Sequence, residues 1–117
     1  MGGRTSYYAG TSAEDQVAQF YDRSGRQVIA RRWRGPGGEI DLIARDGAEV
    51  IFIEVKQARS FAVAAERVSA RQMARICASA ECFIGTEPAG SLTQVRFDVA
   101  LVDGAGRIEV LENAFAA

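Results

Sequence analysis

The sequence contains no histidine, one lysine and two cysteines among its 117 residues. The absence of histidine removes the commonest general base and any imidazole metal ligand. Hydrolytic chemistry in this chain must therefore rest on carboxylates, lysine, tyrosine or a hard metal ion. Cys77 and Cys82 lie five residues apart in a helical stretch, a spacing that suits neither a disulfide nor a zinc site. We predict that both are buried thiols without a functional role.

Long apolar runs are also absent. No segment approaches the roughly 18–20 apolar residues that cross a bilayer, and the N-terminal residues lack the apolar core of a signal peptide. We therefore expect a cytoplasmic protein with no membrane partner. The length suits a single domain, residues 1–117, in which residues 1–10 are expected to be loosely ordered. A composition of 48% hydrophobic and 25% charged residues is ordinary for a globular protein.

The charge that is present is unevenly distributed. Residues 23–75 carry ten Arg and one Lys against six acids, whereas the rest of the chain carries three Arg against nine acids. A basic middle with acidic ends is expected where one face meets a polyanion, and a mixed solvated surface would explain it equally well. The only lysine is Lys56. A lone lysine in an arginine-rich chain suggests a position that needs a compact, titratable amine.

Turn and capping signals predict the order helix, three strands, helix, two strands. The predicted helices span residues 13–24, with Ser12 as the N-cap, and 63–83; the predicted strands span 27–34, 39–45, 48–56, 94–103 and 107–111. This order is typical of an α/β fold with helices packed on a short mixed sheet. The strand at 94–103 follows a helical crossover and can pair parallel to the preceding hairpin.

The Asp46-Gly47 dipeptide is a preferred centre for a two-residue hairpin turn. Such a turn pairs Arg45 with Ala48 and, further along, Glu39 with Glu54. Because side chains alternate with a period of two, four charged residues then share one face at the end away from the turn. They are Glu39, Asp41, Glu54 and Lys56. Directly opposed acids are destabilising unless a cation or a lysine lies between them.

Two acids and a lysine on one face suit metal-assisted phosphodiester hydrolysis. Asp41 and Glu54 would hold Mg²⁺, with Mn²⁺ as a substitute, and Lys56 would position or deprotonate the nucleophile or neutralise transition-state charge. Glu39 is a further ligand or an exposed acid next to the site. Four arginines are candidate phosphate contacts: Arg59, Arg67, Arg71 and Arg75. Alternatively, these arginines form a solvated helix face.

Two segments, Gly38-Glu-Ile-Asp-Leu-Ile and Phe52-Ile-Glu-Val-Lys, resemble the YraN-type family of uncharacterised bacterial proteins. The same residues resemble the PD-(D/E)xK, or restriction-endonuclease-like, superfamily of nucleases, within which that family would fall. Gly10-Thr-Ser-Ala-Glu and Arg96-Phe-Asp-Val match the same family near the two ends of the chain. Archaeal Holliday-junction resolvases have a similar layout, with an early helical Glu, then Asp, then Glu-x-Lys.

The resemblance implies a restriction-endonuclease-like core and a set of functional residues. Asp41 and Glu54 would be metal ligands, Lys56 the catalytic lysine and Glu14 an accessory acid near the site. The family's second helix usually carries Lys-Gln where this chain has Gln72-Met73, so no role is transferred to that pair.

The favoured function is a Mg²⁺-dependent endonuclease that acts on DNA, with branched DNA as one candidate substrate. A homodimer is expected by analogy with enzymes that cut two strands. One alternative is a non-catalytic nucleic-acid-binding or adaptor module that retains the nuclease fold. Another is a small α/β enzyme acting on a phosphate ester, although the chain has no Gly-rich phosphate loop leading into a helix.

Overall fold

A five-stranded mixed sheet forms the centre of the fold. In the computed structural model, the backbone of residues 2–115 and the side chains of residues 13–115 are described. The strands are β1 (Gln27–Gly35), β2 (Gly38–Asp46), β3 (Glu49–Gln57), β4 (Val95–Val102) and β5 (Ile108–Leu111). The helices are α1 (Gly2–Arg23), α2 (Phe61–Glu66) and α3 (Ala70–Ile84), and a short 3₁₀ helix spans Gly90–Leu92.

The strands lie side by side in the order β1-β2-β3-β4-β5. Neighbours pair antiparallel except β3 and β4, which are parallel and are joined by the helical crossover through α2 and α3. The predicted α/β architecture with a mixed sheet is thus confirmed. The predicted parallel pairing after the crossover is also confirmed. A parallel connection needs a long link that returns the chain to the same end of the sheet, and α2 and α3 supply it.

Helices cover the sheet on both faces. On one face α1 packs Val17 and Tyr21 against strand residues that include Leu42 and Ile53. On the other face α3 packs its sheet-facing residues, which include Met73 and Ile76, against residues of β2, β3 and β4. The apolar run at residues 50–53 is therefore buried on both sides of β3. Each such large side chain contributes about 1.5–3 kcal/mol when it is fully buried.

The first helix is longer than predicted. It begins at Gly2, so Ser12 lies within α1 and the predicted N-cap at this residue is wrong. No proline interrupts residues 2–12, and each residue added to an existing helix gains one hydrogen bond. The predicted loose order of residues 1–10 stays a prediction for the side chains, which lie outside the described set.

The second predicted helix is two helices. α2 ends at Glu66, with Arg67 at its C-cap, and Ser69 begins α3 by accepting a hydrogen bond from the Gln72 N–H at 3.1 Å. A serine that caps a new helix satisfies an amide that would otherwise be unpaired at the break. The predicted single basic stripe is therefore wrong, because Arg67 lies on a different element from Arg71 and Arg75.

The cysteines also differ from the prediction. Both are free thiols, but Cys77 is half-buried and Cys82 is exposed. The sheet-facing positions of α3 are taken by Met73, Ile76 and Ala80, so Cys77 lies at the margin of the core and Cys82 lies on the surface.

Within residues 2–115, no helix is long and apolar enough to cross a membrane.

A carboxylate and lysine cluster as the candidate active site

The β2–β3 hairpin sets the register of the candidate site. Asp46 pairs with Glu49 across a loop of Gly47 and Ala48, so the predicted pairing of Arg45 with Ala48 is wrong. Gly47 has φ +61° and is first in the loop, where a type II′ turn places its glycine. Compared with the prediction, the turn is centred one residue later, so each residue of β2 pairs with a partner two residues further along β3.

A shift of two preserves the faces of Asp41 and of the β3 residues. It does not preserve that of Ile40, which packs with Ile43 on the α3 side, so the alternation breaks before Asp41 and the predicted shared face of Glu39 is wrong.

Asp41 lies just beyond the last paired residues of β2 and β3, which are Leu42 and Ile53. Its Oδ2 accepts a hydrogen bond from the main-chain N–H of Val55 at 2.8 Å. The side chain thus takes the place of a main-chain partner at the point where the two strands separate. As a result, the backbone of β3 holds the Asp41 carboxylate next to Glu54.

Glu54 is almost completely buried, with 5% of its surface exposed. Its Oε2 accepts a hydrogen bond from Gln72 Nε2 and lies 3.4 Å from Lys56 Nζ. Its Oε1 is buried and has no hydrogen-bond partner in the described part of the protein. An unpaired buried oxygen costs about 1–3 kcal/mol, and more when it carries charge.

The environment of Glu54 opposes ionisation. Burial and, after it, the neighbouring Asp41 raise its pKa to about 8, and Lys56 opposes this shift. Asp41 lies within hydrogen-bonding reach of the Glu54 carboxyl group, and two ionised carboxylates are both acceptors, so only a proton or a cation can join them. Near neutral pH the metal-free pair therefore retains a proton that two separate carboxylates would release.

Lys56 completes the cluster and is held by a residue that the sequence did not identify. Its Nζ donates a hydrogen bond to Gln72 Oε1 at 2.7 Å. Ser69 and Gln72 have capping-box spacing, which predicts that the Gln72 side chain turns back toward the helix N-terminus. Instead, only its backbone N–H meets Ser69, and the amide contacts Lys56 and Glu54. No local signal distinguishes these two uses.

Glu39 and Glu14 form ion pairs with arginines of β1. Glu39 is exposed and lies 3.5 Å from Arg34, and Glu14 lies 3.1 Å from Arg32. The predicted opposition of Glu39 and Glu54 is wrong, since the two-residue register shift moves Glu39 away from it. Among residues 13–115, no group of three acids or thiols is close enough to hold a metal ion. The accessory roles of both acids stay predictions.

Four exposed arginines lie along the segments that follow β3, and none of them has a carboxylate partner among the described residues: Arg59, Arg67, Arg71 and Arg75. Other arginines do have such partners, for example Arg45, whose guanidinium binds both oxygens of Glu87. Arg67 Nη1 donates to the main-chain oxygen of Gln57, next to Lys56. The unpaired positive charge therefore lies on the elements that border the cluster.

A contact between α3 and the β1–β2 turn positions the start of β2. Ser79 is fully buried, and its Oγ accepts from the Gly37 N–H at 3.0 Å and donates to the Gly38 carbonyl at 2.8 Å. A Cβ atom at Gly37 would lie 2.1 Å from the main-chain oxygen of Arg75. The turn therefore needs glycine at residue 37. Its contact with α3 joins the start of β2, which carries Asp41, to the helix that carries Gln72.

Sequence comparison with known proteins identifies a family. The model of the uncharacterised protein family UPF0102 matches residues 13–102, which include the whole cluster. A UPF0102 protein of Cereibacter sphaeroides (strain ATCC 17029) is 66% identical over 117 residues, the full length of both chains. A UPF0102 protein of Ruegeria pomeroyi is 58% identical over 113 residues, covering 97% of this chain and 92% of the relative. One of Dinoroseobacter shibae is 41% identical over 111 residues, covering 95% and 83%.

Proposed function

This chain belongs to the uncharacterised protein family UPF0102, and we propose that it is a divalent-metal-dependent endonuclease that hydrolyses DNA phosphodiester bonds. UPF0102 is the YraN-type family that the motifs resemble, so this part of the sequence prediction is confirmed. Membership of the restriction-endonuclease-like superfamily is part of the proposal. The observation that carries the proposal is the buried, unpaired Glu54 Oε1 beside Asp41 and Lys56.

The donor atoms of the cluster suit a small, hard cation. Asp41 and Glu54 would hold Mg²⁺ or Mn²⁺ through carboxylate oxygens, the ligands that these ions prefer. A cation between them would satisfy the unpaired Oε1 and offset the repulsion that otherwise keeps a proton on the pair. When bound, such an ion polarises a phosphoryl oxygen and lowers the pKa of a coordinated water.

Lys56 supplies positive charge where a phosphodiester would meet the cluster. Its amine donates to Gln72 Oε1 at 2.7 Å and lies 3.4 Å from Glu54 Oε2. An ammonium has three N–H donors, so a further donor is available for a phosphate oxygen. Because its position is set before the substrate arrives, the amine can stabilise developing negative charge without reorganisation.

The unpaired arginines support a polyanionic substrate. Arg59, Arg71 and Arg75 are exposed, and none has a carboxylate within salt-bridge distance in the described part of the chain. Guanidinium groups pair with phosphates in bidentate geometry, and contacts of this kind fix the register of a nucleic acid without reading its sequence. The proposed substrate is therefore DNA recognised through its backbone, with branched DNA as one candidate form.

Cleavage assays test the proposal directly. Purified protein would be incubated with Mg²⁺ or Mn²⁺ and with linear duplex, single-stranded and four-way-junction DNA. Lys56→Ala and Asp41→Asn should each lower the cleavage rate by ~10²–10³, the usual effect of removing one preorganised charge or donor. Glu109→Gln, a change at an exposed residue of β5, should cleave at the wild-type rate. If the wild type cleaves none of these substrates, or if Lys56→Ala matches it, the nuclease proposal is wrong.

A non-catalytic DNA-binding module is the second candidate. The observation that favours it is that the exposed arginines do not depend on the carboxylates for their positions: Arg67, for example, is tied to the main chain of Gln57. Such a module would bind DNA with strong salt dependence, and binding would survive Asp41→Asn. The combination of retained binding and no cleavage with either metal would favour this function over the nuclease.

A further inference from the structure

One amide group, that of Gln72, contacts two members of the cluster. Its Oε1 accepts from Lys56 Nζ at 2.7 Å, and its Nε2 donates to Glu54 Oε2. An amide has one acceptor end and one donor end, so these two contacts fix which way it points. Lysine or arginine at this position would have no acceptor for Lys56, and aspartate or glutamate would have no donor for an ionised Glu54.

The contacts leave each carboxylate with one engaged oxygen. The Asp41 Oδ2 atom accepts from the Val55 N–H, and the Glu54 Oε2 atom accepts from Gln72. The remaining Glu54 oxygen, Oε1, is the buried atom without a partner. A carboxylate that is held through one oxygen presents its other oxygen in a fixed direction, as a ligand for a divalent cation must be presented.

We propose that Gln72 is a positioning residue of this site: its amide binds Glu54 Oε2, which leaves Oε1 for a divalent cation, and it anchors the Lys56 amine. This inference rests on the proposed metal-dependent function and adds a residue to it. Gln72 itself touches neither the cation nor the substrate. It acts by presenting Glu54 through a single oxygen and by holding Lys56 at a fixed distance.

The lone lysine makes the test unusually direct. In a ¹H–¹⁵N spectrum of side-chain ammonium groups, Lys56 is the only lysine that can give a signal. Its hydrogen bond to Gln72 slows exchange with water, so the wild type should show one cross-peak in the absence of metal. Titration with Mn²⁺, followed by calorimetry and by the electron paramagnetic resonance of free Mn²⁺, would give the number of ions per chain and their affinity.

Gln72→Met removes the amide but keeps a side chain of similar length. The ammonium cross-peak should broaden or disappear, and Mn²⁺ affinity should fall by about 10- to 100-fold, the usual effect of removing the partner of a metal ligand. Gln94→Met, the same substitution at an exposed position before β4, should leave both measurements at their wild-type values. Circular dichroism would show that both variants are folded.

The outcomes separate this inference from the proposed function. One Mn²⁺ per chain in the wild type, with the losses described for Gln72→Met, supports both. One Mn²⁺ per chain with Gln72→Met indistinguishable from Gln94→Met overturns the role of Gln72 and leaves the nuclease proposal standing. Absence of the Lys56 ammonium cross-peak from the folded wild type overturns the anchoring role of Gln72 even if the variant does not fold. A wild type that neither binds Mn²⁺ nor cleaves DNA overturns both proposals.

Discussion

Replacing Glu54 with glutamine should make the stability of the metal-free protein less dependent on pH. In the folded protein, burial and then Asp41 raise the pKa of Glu54 to about 8, while Lys56 opposes the shift. In the unfolded chain a glutamate titrates near ~4.3. Between these two pH values the folded state keeps a proton that the unfolded state has released. The free energy of unfolding should therefore fall as pH rises through this range.

The size of the effect follows from linkage. A pKa difference of one unit is worth about 1.4 kcal/mol, and the contribution of Glu54 is fully present below its unfolded pKa and lost as pH rises through 8. Integration from pH 5 to pH 9 gives a loss of ~4 kcal/mol in the wild type. A small domain has a total stability of about 5–15 kcal/mol, so the loss is a large part of the total.

Urea unfolding in EDTA at each pH from 5 to 9 would measure this loss. The wild type and Glu109→Gln, which alters an exposed acid on β5, should lose stability in parallel. Over the same range, the free energy of unfolding of Glu54→Gln should fall by ~4 kcal/mol less than that of the wild type, since its amide has no proton to release. Added Mg²⁺ should restore stability to the wild type at pH 9, because an ion that binds only the folded state stabilises it.

Two results would refute the reasoning. The first is a wild type whose stability changes by less than ~1 kcal/mol between pH 5 and pH 9, which would mean that Glu54 ionises without cost. The second is a Glu54→Gln variant that loses stability in parallel with the wild type, which would assign the pH dependence to other groups. Either result would also count against a cation site at the unpaired Glu54 oxygen.

Two further predictions concern α3. Gly37→Ala should destabilise the protein by about 1–3 kcal/mol, because the new Cβ would overlap the main-chain oxygen of Arg75, whereas Gly85→Ala, whose Cβ would lie 3.4 Å from its nearest neighbour, should change the urea midpoint little. Equal midpoints would contradict the tight contact. The double variant Arg71→Ala/Arg75→Ala should weaken duplex DNA binding and lower the salt slope by about 2, as measured by fluorescence anisotropy at several salt concentrations. Arg31→Ala, which removes an arginine already paired with Asp15, should lower the slope less, and equal effects would refute this assignment.

The face of the candidate site was predictable because alternation along a strand is a local property. Glu54 and Lys56 are two residues apart and must share a face in any extended strand. Asp41 lies on the same face for every hairpin loop with an even number of residues, so the error in the predicted turn position left this shared face unchanged. Glu39 shows the limit of this argument: Ile40 packs with Ile43 on the α3 side, so the alternation breaks before Asp41 and does not give the face of Glu39.

The sequence by itself determined the order of the strands, the face shared by Asp41, Glu54 and Lys56, and the family, since each depends on neighbours along the chain. Only the tertiary structure decided that Gln72 meets Lys56 and Glu54, that Glu54 Oε1 is buried without a partner, and that Arg67 leaves the basic stripe. These features depend on how α3 lies across the sheet, anchored through Ser79 to the β1–β2 turn. Packing between distant segments sets that position, and no local periodicity encodes it.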